Sequence, residues 1–196
     1  MVESMNRWLK EEVVQKHIVD VFGTDEVLKV ADEPGGYRVR ALLTLYLKQL
    51  SGIANFCRYF EMRDCDNRVL YYLFFISNNS LGFVKMKEAM WAVDQTGCFR
   101  YSDATNPDQK ILFTVEHTWL PVLKKQIEDE FQNRKRVSID EVKVFVDEKT
   151  MFLDKHMKAT MRTLEDESRI IPNPRKNDGK PRKKRSFPDG VIVDFL

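Results

Sequence analysis

Residues 138–170 read SIDEVKVFVDEKTMFLDKHMKATMRTLEDESRI, and this run decides the fold of the C-terminal part of the chain. Ser138, followed three residues later by Glu141, forms a capping box, in which a hydroxyl and a carboxylate satisfy the first free amides of a helix. The helix it opens turns Val142, Phe145 and Val146 inward. Lys149-Thr150 predicts a turn. Phe152–Glu167 then predicts a second helix, with Leu153, His156, Met157, Thr160, Met161 and Leu164 at three- and four-residue spacing. Two helices joined by so short a turn make a helix-turn-helix.

Working outward, Pro121 is a natural first-turn residue for a helix to Asn133 whose apolar stripe is Leu123, Ile127 and Phe131. Arg136-Val137 predicts a short strand between that helix and the capping box. Downstream, Arg169–Ile171 and Val191–Phe195 predict two strands around a basic loop. Helix, short strand, two helices and a hairpin is the order of a winged helix-turn-helix domain, assigned here to residues 118–196, with its wing at 173–187.

The charge is uneven. The 196 residues carry a net +2, but residues 1–120 hold 14 Lys+Arg against 16 Asp+Glu, whereas residues 121–196 hold 18 against 14. The excess concentrates in NPRKNDGKPRKKRSFP, where Arg175, Lys176, Lys180, Arg182, Lys183, Lys184 and Arg185 face only Asp178. A helix-turn-helix sets its second helix in the DNA major groove, and a basic wing reaches phosphates. On that helix Lys155, Lys158 and Arg162 follow one another on one face, with Asp154, Glu165 and Asp166 diluting their charge. These ten cations are the candidate nucleic-acid-binding residues, and DNA is the expected partner. An acidic protein surface suits such a loop too, and a solvated loop needs no partner.

Upstream the pattern is mixed α/β. Met5, Trp8, Leu9, Val13, His17 and Val21 predict a helix ending at Gly23, and Thr24–Ala31 a short second one. After Pro34-Gly35-Gly36, Arg38–Leu50 predicts a third, with Val39, Leu42, Leu43, Tyr46, Leu47 and Leu50 on one side. Phe56–Met62, the turn Asp64-Cys65-Asp66-Asn67 and the apolar arm VLYYLFFI at Val69–Ile76 predict a hairpin. An arm apolar on both faces is expected to be covered on both sides. Ser80 caps a helix to Gln95, with Phe83, Met86, Met90 and Val93 inward. YSDATNPDQ predicts a loop, and ILFTV at 111–115 a short strand.

Signals for catalysis are sparse. His17, His117 and His156 have no HxxxH spacing, no glycine-rich turn follows a strand into a helix, and Cys57, Cys65 and Cys98 form no CxxC pair. No metal or cofactor site is expected in this chain. Asn78-Asn79 follows the apolar arm where α/β proteins place binding groups, although a helix-entry turn explains it equally. No apolar run reaches the ~18 residues a membrane helix needs, and MVESMNRWLKEE is not a secretory signal. The expected location is the cytoplasm, with no membrane partner.

RVLYYLFFISNN followed by KMKEAMWAVD, the earlier VFGTDEVLK, the run 138–170 and FPDGVIV together resemble the three-Cys-motif partner (TcmP) proteins. The resemblance spans nearly the whole chain but only the rear portion of that family. It implies that residues 1–117 are an α/β remnant, the closing helices and β-hairpin of a class I methyltransferase-like sheet, joined to the winged helix. The cofactor-binding front is then missing and the chain truncated, so S-adenosylmethionine is expected only in a complete assembly and no catalytic or cofactor-binding residue carries over. Three roles follow as expectations. The first is a non-catalytic nucleic-acid-binding or docking module, the second half of an S-adenosylmethionine-dependent methyltransferase completed by another chain. The third is an adaptor for a three-cysteine-motif, radical-S-adenosylmethionine-like partner.

Overall fold

The computed structural model describes residues 11–94, 100–102, 119–175 and 179–196. Met5, Trp8, Leu9, Cys98, His117, Lys176, the 111–115 strand and most of the loop before it lie outside them. The described chain is mixed α/β, with seven α-helices and two three-stranded sheets. It divides into two compact units, Met1–Asn79 with Tyr101–Thr105, and Ser80–Arg100 with Asn106–Leu196.

In the first unit, α1 (Glu12–Phe22) stops at Gly23, whose φ of 67° only glycine adopts without cost and whose N–H donates to Val19 O at 2.8 Å. Helix α2 (Glu26–Lys29) runs on through a single 3-10 turn, and α3 covers Gly35–Ser51. Ile18, Val27, Leu42 and Leu45 form the core, joined by Val14, Val19 and Phe22. The face of α1 differs from expectation, since Val13 and Val21 are 83% and 66% exposed. Two stripes of four-residue spacing compete there, and Val14/Ile18/Phe22 wins over Val13/His17/Val21 because it is wholly apolar and bulkier. Helix α3 starts three residues early, with Pro34 O accepting from Tyr37 N and Arg38 N.

Strands β1 (Phe56–Arg63) and β2 (Val69–Ser77) pair antiparallel from Phe56↔Ser77 to Arg63↔Val69, with a register shift at Met62/Arg63. The turn is held by Asp64 Oδ1, which accepts from the amides of Asp66 and Arg68 at 2.9 Å each, and by Asn67 at φ 62°. Strand β3 (Arg100–Ser102) completes the order β2-β1-β3, which leaves β2 an edge strand among the described residues. Among the described residues the expected cover on both faces is not found: Leu70, Tyr71, Leu73 and Ile76 are 43–46% exposed. Phe74 does pack, edge-on to Tyr46 and tilted against Tyr59. An apolar run cannot by itself distinguish a central strand from a hairpin arm.

The second unit starts earlier than the expected boundary at 117/118, with α4 (Ser80–Val93). Two side chains bind this helix to the rear of the chain. Lys87 Nζ donates to the carbonyls of Val146, Thr150 and Phe152 at 3.0, 3.3 and 2.6 Å, and Trp91 Nε1 donates to Met151 O at 2.8 Å. Lys87 is 1% exposed, whereas Val93, expected inward, is 54% exposed. Its ammonium takes up carbonyls at the C-terminal turn of a neighbouring helix, which charge pattern alone does not reveal.

The remaining order is α5 (Leu120–Phe131), β4 (Val137–Ser138), α6 (Ile139–Lys149), α7 (Asp154–Asp166), β5 (Ile170–Pro172) and β6 (Ile192–Phe195). The predicted capping hydroxyl is in place, with Glu141 N donating to Ser138 Oγ at 3.1 Å. Leu123, Ile127 and Phe131 are buried, as are Val142, Val146 and all six predicted inward residues of α7; Phe145 is half-buried, edge-on to Phe131. Thr150 makes the turn between α6 and α7, its hydroxyl donating to Val146 O and accepting from Phe152 N. The three strands lie in the order β4-β6-β5, all antiparallel, with Val193 between Val137 and Pro172.

Candidate nucleic-acid interface

The loop between β5 and β6 carries most of the predicted cations, and its described residues are hydrogen-bonded at several points. Arg175 and Pro181 bridge across its base, where Arg182 N donates to Pro174 O at 2.8 Å. Ser186 N closes a turn on Lys183 O at 3.1 Å, with Arg185 at φ 63°. Phe187 is buried, and Gly190 N donates to Asp140 Oδ2 at 2.8 Å, which ties the returning arm to α6.

Glu165 on α7 is the centre of this arrangement. Its Oε1 accepts from Arg182 Nη2, and its Oε2 accepts from Arg185 N at 3.0 Å and Arg182 Nη1 at 3.4 Å. Arg182 also donates to Ser186 O at 3.0 Å and lies over the Phe187 ring. Burial alone would push the Glu165 carboxyl up, but the hydrogen bonds from Arg182 and Arg185, and the charges of Arg182 and Lys184, hold it below the usual range. The side chains of Arg182 and Glu165 are only 6% and 9% exposed, so Arg182 is not the open phosphate ligand the sequence predicts. It is consumed in a buried, hydrogen-bonded ion pair.

Five of the ten predicted cations meet. Lys158 and Arg162 from α7, and Lys183, Lys184 and Arg185 from the loop, line one open depression of about 580 Å³ together with Ser186, Phe187 and Pro188. Among the described residues no carboxylate lines it. Lys155, Arg175 and Lys180 are exposed but stand outside the lining. Two of the five have carboxylate partners, Lys158 with Asp154 Oδ2 at 2.6 Å and Arg185 with Asp166 Oδ2 at 3.3 Å. Such solvent-exposed pairs are weak, and a phosphate competes with them readily. Among the described residues Lys183 and Lys184 make no ion pair, and both line the depression.

Elsewhere, the candidates have structural duties. His156 lies between Trp91 and Trp119, tilted to their rings by 48° and 56° with centroids 4.2 and 4.5 Å away, and its Nδ1 accepts from Leu153 N at 3.1 Å. Burial, with the charges of Lys155 and Lys87, lowers its pKa to about 4, so it is neutral near pH 7. Asn78 Oδ1 accepts from Asn55 N at 2.9 Å, which accounts for it as a connection between loops. Cys57 and Cys65 are free thiols, and no group of His, Cys, Asp and Glu among the described residues could hold a metal. No helix among them is long and apolar enough to cross a membrane.

Comparison with known proteins gives no match to any family model, curated protein or solved structure. Sequence reasoning treated Glu165 as a diluting charge and missed it as the clasp of the loop. Its spacing of 17 residues from Arg182 carries no local signal.

Proposed function

We propose that the second unit is a winged helix-turn-helix that binds nucleic acid through α7 and the basic loop, with duplex DNA as the preferred partner. The order of α5, β4, α6, α7, β5 and β6, and the β4-β6-β5 sheet, support the assignment of the loop as a wing. The observation that carries the function is the joint lining of one depression by Lys158 and Arg162 of the helix and Lys183, Lys184 and Arg185 of the loop. Phosphodiesters fit this chemistry, since cations spaced along a groove release counterions when they neutralise a backbone. The resemblance to three-Cys-motif partner proteins accords with a docking module in a methyltransferase-like system. Binding of labelled duplex DNA and single-stranded RNA across a salt series tests it. Wild-type chain binds with a steep slope, and Lys183→Ser/Lys184→Ser flattens it by about 2 units. Absence of binding to either nucleic acid at low salt would leave a protein-docking surface, and the cysteine-motif partner as its candidate.

A second role rests on the exposed apolar side chains of edge strand β2. These suit a first unit whose sheet is completed by a strand from another chain, as in half of a methyltransferase. The residues present do not fit S-adenosylmethionine: the chain's eight glycines form no glycine-rich turn after a strand, and Gly35 opens α3 after a 3-10 turn instead.

A further inference from the structure

Glu165, a carboxylate of α7 hydrogen-bonded to the loop of the basic depression, stands in apparent conflict with its use. Charge alone says that Glu165 repels phosphate, so that removing it should tighten binding. The geometry points to the opposite: we propose that Glu165 is a positioning residue whose carboxylate strengthens phosphodiester binding by fixing the loop cations in place. This rests on the nucleic-acid reading of the depression.

Both carboxylate oxygens are already occupied. Oε1 holds Arg182, and Oε2 holds Arg182 and the Arg185 amide at 3.4 and 3.0 Å. With its side chain 9% exposed and its charge balanced by a guanidinium 6% exposed, Glu165 presents little field to an incoming phosphate. What it does present is order. Arg182 and Arg185 bracket Lys183 and Lys184, so fixing the guanidinium of one and the amide of the other fixes the segment between them. The Arg185 peptide is gripped from both sides, its N–H by Glu165 and its carbonyl by Arg162 Nε at 3.1 Å. That grip keeps Arg185 at φ 63°, a left-handed conformation that a non-glycine residue leaves when released. Without Glu165, the cations of the loop separate from Lys158 and Arg162, and a ligand must then reorder several long side chains as it binds.

Two single variants separate order from charge. Glu165→Asp keeps the charge but shortens the reach by one methylene, and Glu165→Gln keeps the reach but removes the charge. Affinity for a fluorescein-labelled DNA duplex is compared with wild type at fixed salt, alongside trypsin cleavage after Lys183, Lys184 and Arg185. Both variants are expected to bind about tenfold more weakly, the cost of ordering one or two long side chains, and to be nicked in the loop faster than wild type. Equal binding by Glu165→Asp, or tighter binding by Glu165→Gln, overturns the proposal. Thermal unfolding checks that each variant is folded, and the loop-nicking rate measures the clasp even in a variant of reduced stability: unchanged nicking also overturns it. Lys183→Ser/Lys184→Ser separates the two failures. If that variant loses affinity while the Glu165 variants do not, the depression binds phosphate and only the positioning role falls. If wild-type chain does not bind, both fall.

Discussion

The ammonium nitrogen of Lys87 lies 2.6 Å from the carbonyl oxygen of Phe152, inside the second unit, with Val146 and Thr150 carbonyls at 3.0 and 3.3 Å. A lysine in α4 thereby terminates α6 and anchors the start of α7. Lys87→Met removes the donor to the Thr150 and Phe152 carbonyls, while Val146 O keeps the Thr150 hydroxyl, at about 1–3 kcal/mol for each group that finds no water. Thermal unfolding is expected to show the second unit losing several degrees of Tm. An unchanged Tm would mean that water replaces the ammonium.

The placing of His156 between the rings of Trp91 and Trp119 makes stability depend on acid. Its pKa is depressed to about 4 in the folded protein, below the free-histidine value. The unfolded chain therefore takes up a proton that the native state refuses, and stability present above about pH 6.5 is lost as pH falls toward 4. Denaturant titrations across that window should show the decline, and His156→Gln should flatten it. A wild-type curve equally flat would place the ring in water.

Arg182 and Lys184 stand two residues apart and are expected to behave differently. Lys184→Gln leaves Tm unchanged and lowers the salt slope of DNA binding by about 0.9, one phosphate contact. Arg182→Gln strands the buried Glu165 carboxylate and lowers Tm. Equal Tm values for the two variants, measured by calorimetry, would contradict the buried pair.

Edge strand β2 exposes Leu70, Tyr71, Leu73 and Ile76 and contains no charged residue. Natural edges are usually protected by charge or proline, and this one is not. Sedimentation at rising concentration is expected to show self-association that Leu73→Lys suppresses. A monomer at all concentrations would mean that the edge is covered, and would remove the support for a sheet completed by another chain.

How much of this was legible in the sequence depends on how local each signal is. The capping hydroxyl of Ser138, the stripe Leu123/Ile127/Phe131 and the inward face of α7 depend on spacings of three and four residues, and each lies where the pattern places it, although the Glu141 carboxylate of the predicted box pairs with Arg134 instead. The hairpin turn at Asp64–Asn67 is equally local. What periodicity could not resolve was competition and distance. Two apolar stripes run along α1, and only packing selects Val14, Ile18 and Phe22. Lys87 gives no local signal and Glu165 reads only as a diluting charge, because their partners lie 59 to 65 and 17 residues away. Of the loop cations, Lys183, Lys184 and Arg185 line the depression as a basic run suggests, whereas Arg182 in the same run turns inward. Charge density locates such a loop, but a buried carboxylate decides which of its cations a ligand meets.

The central claim is that helix and loop cations form one phosphodiester site. Duplex DNA binding as a function of salt, for wild-type chain and Lys183→Ser/Lys184→Ser, tests it most directly. Wild type is expected to show a linear fall of log affinity with log salt, and the variant a slope shallower by about 2 units at unchanged Tm. Identical slopes for the two proteins, or no binding by wild type at low salt, would contradict it.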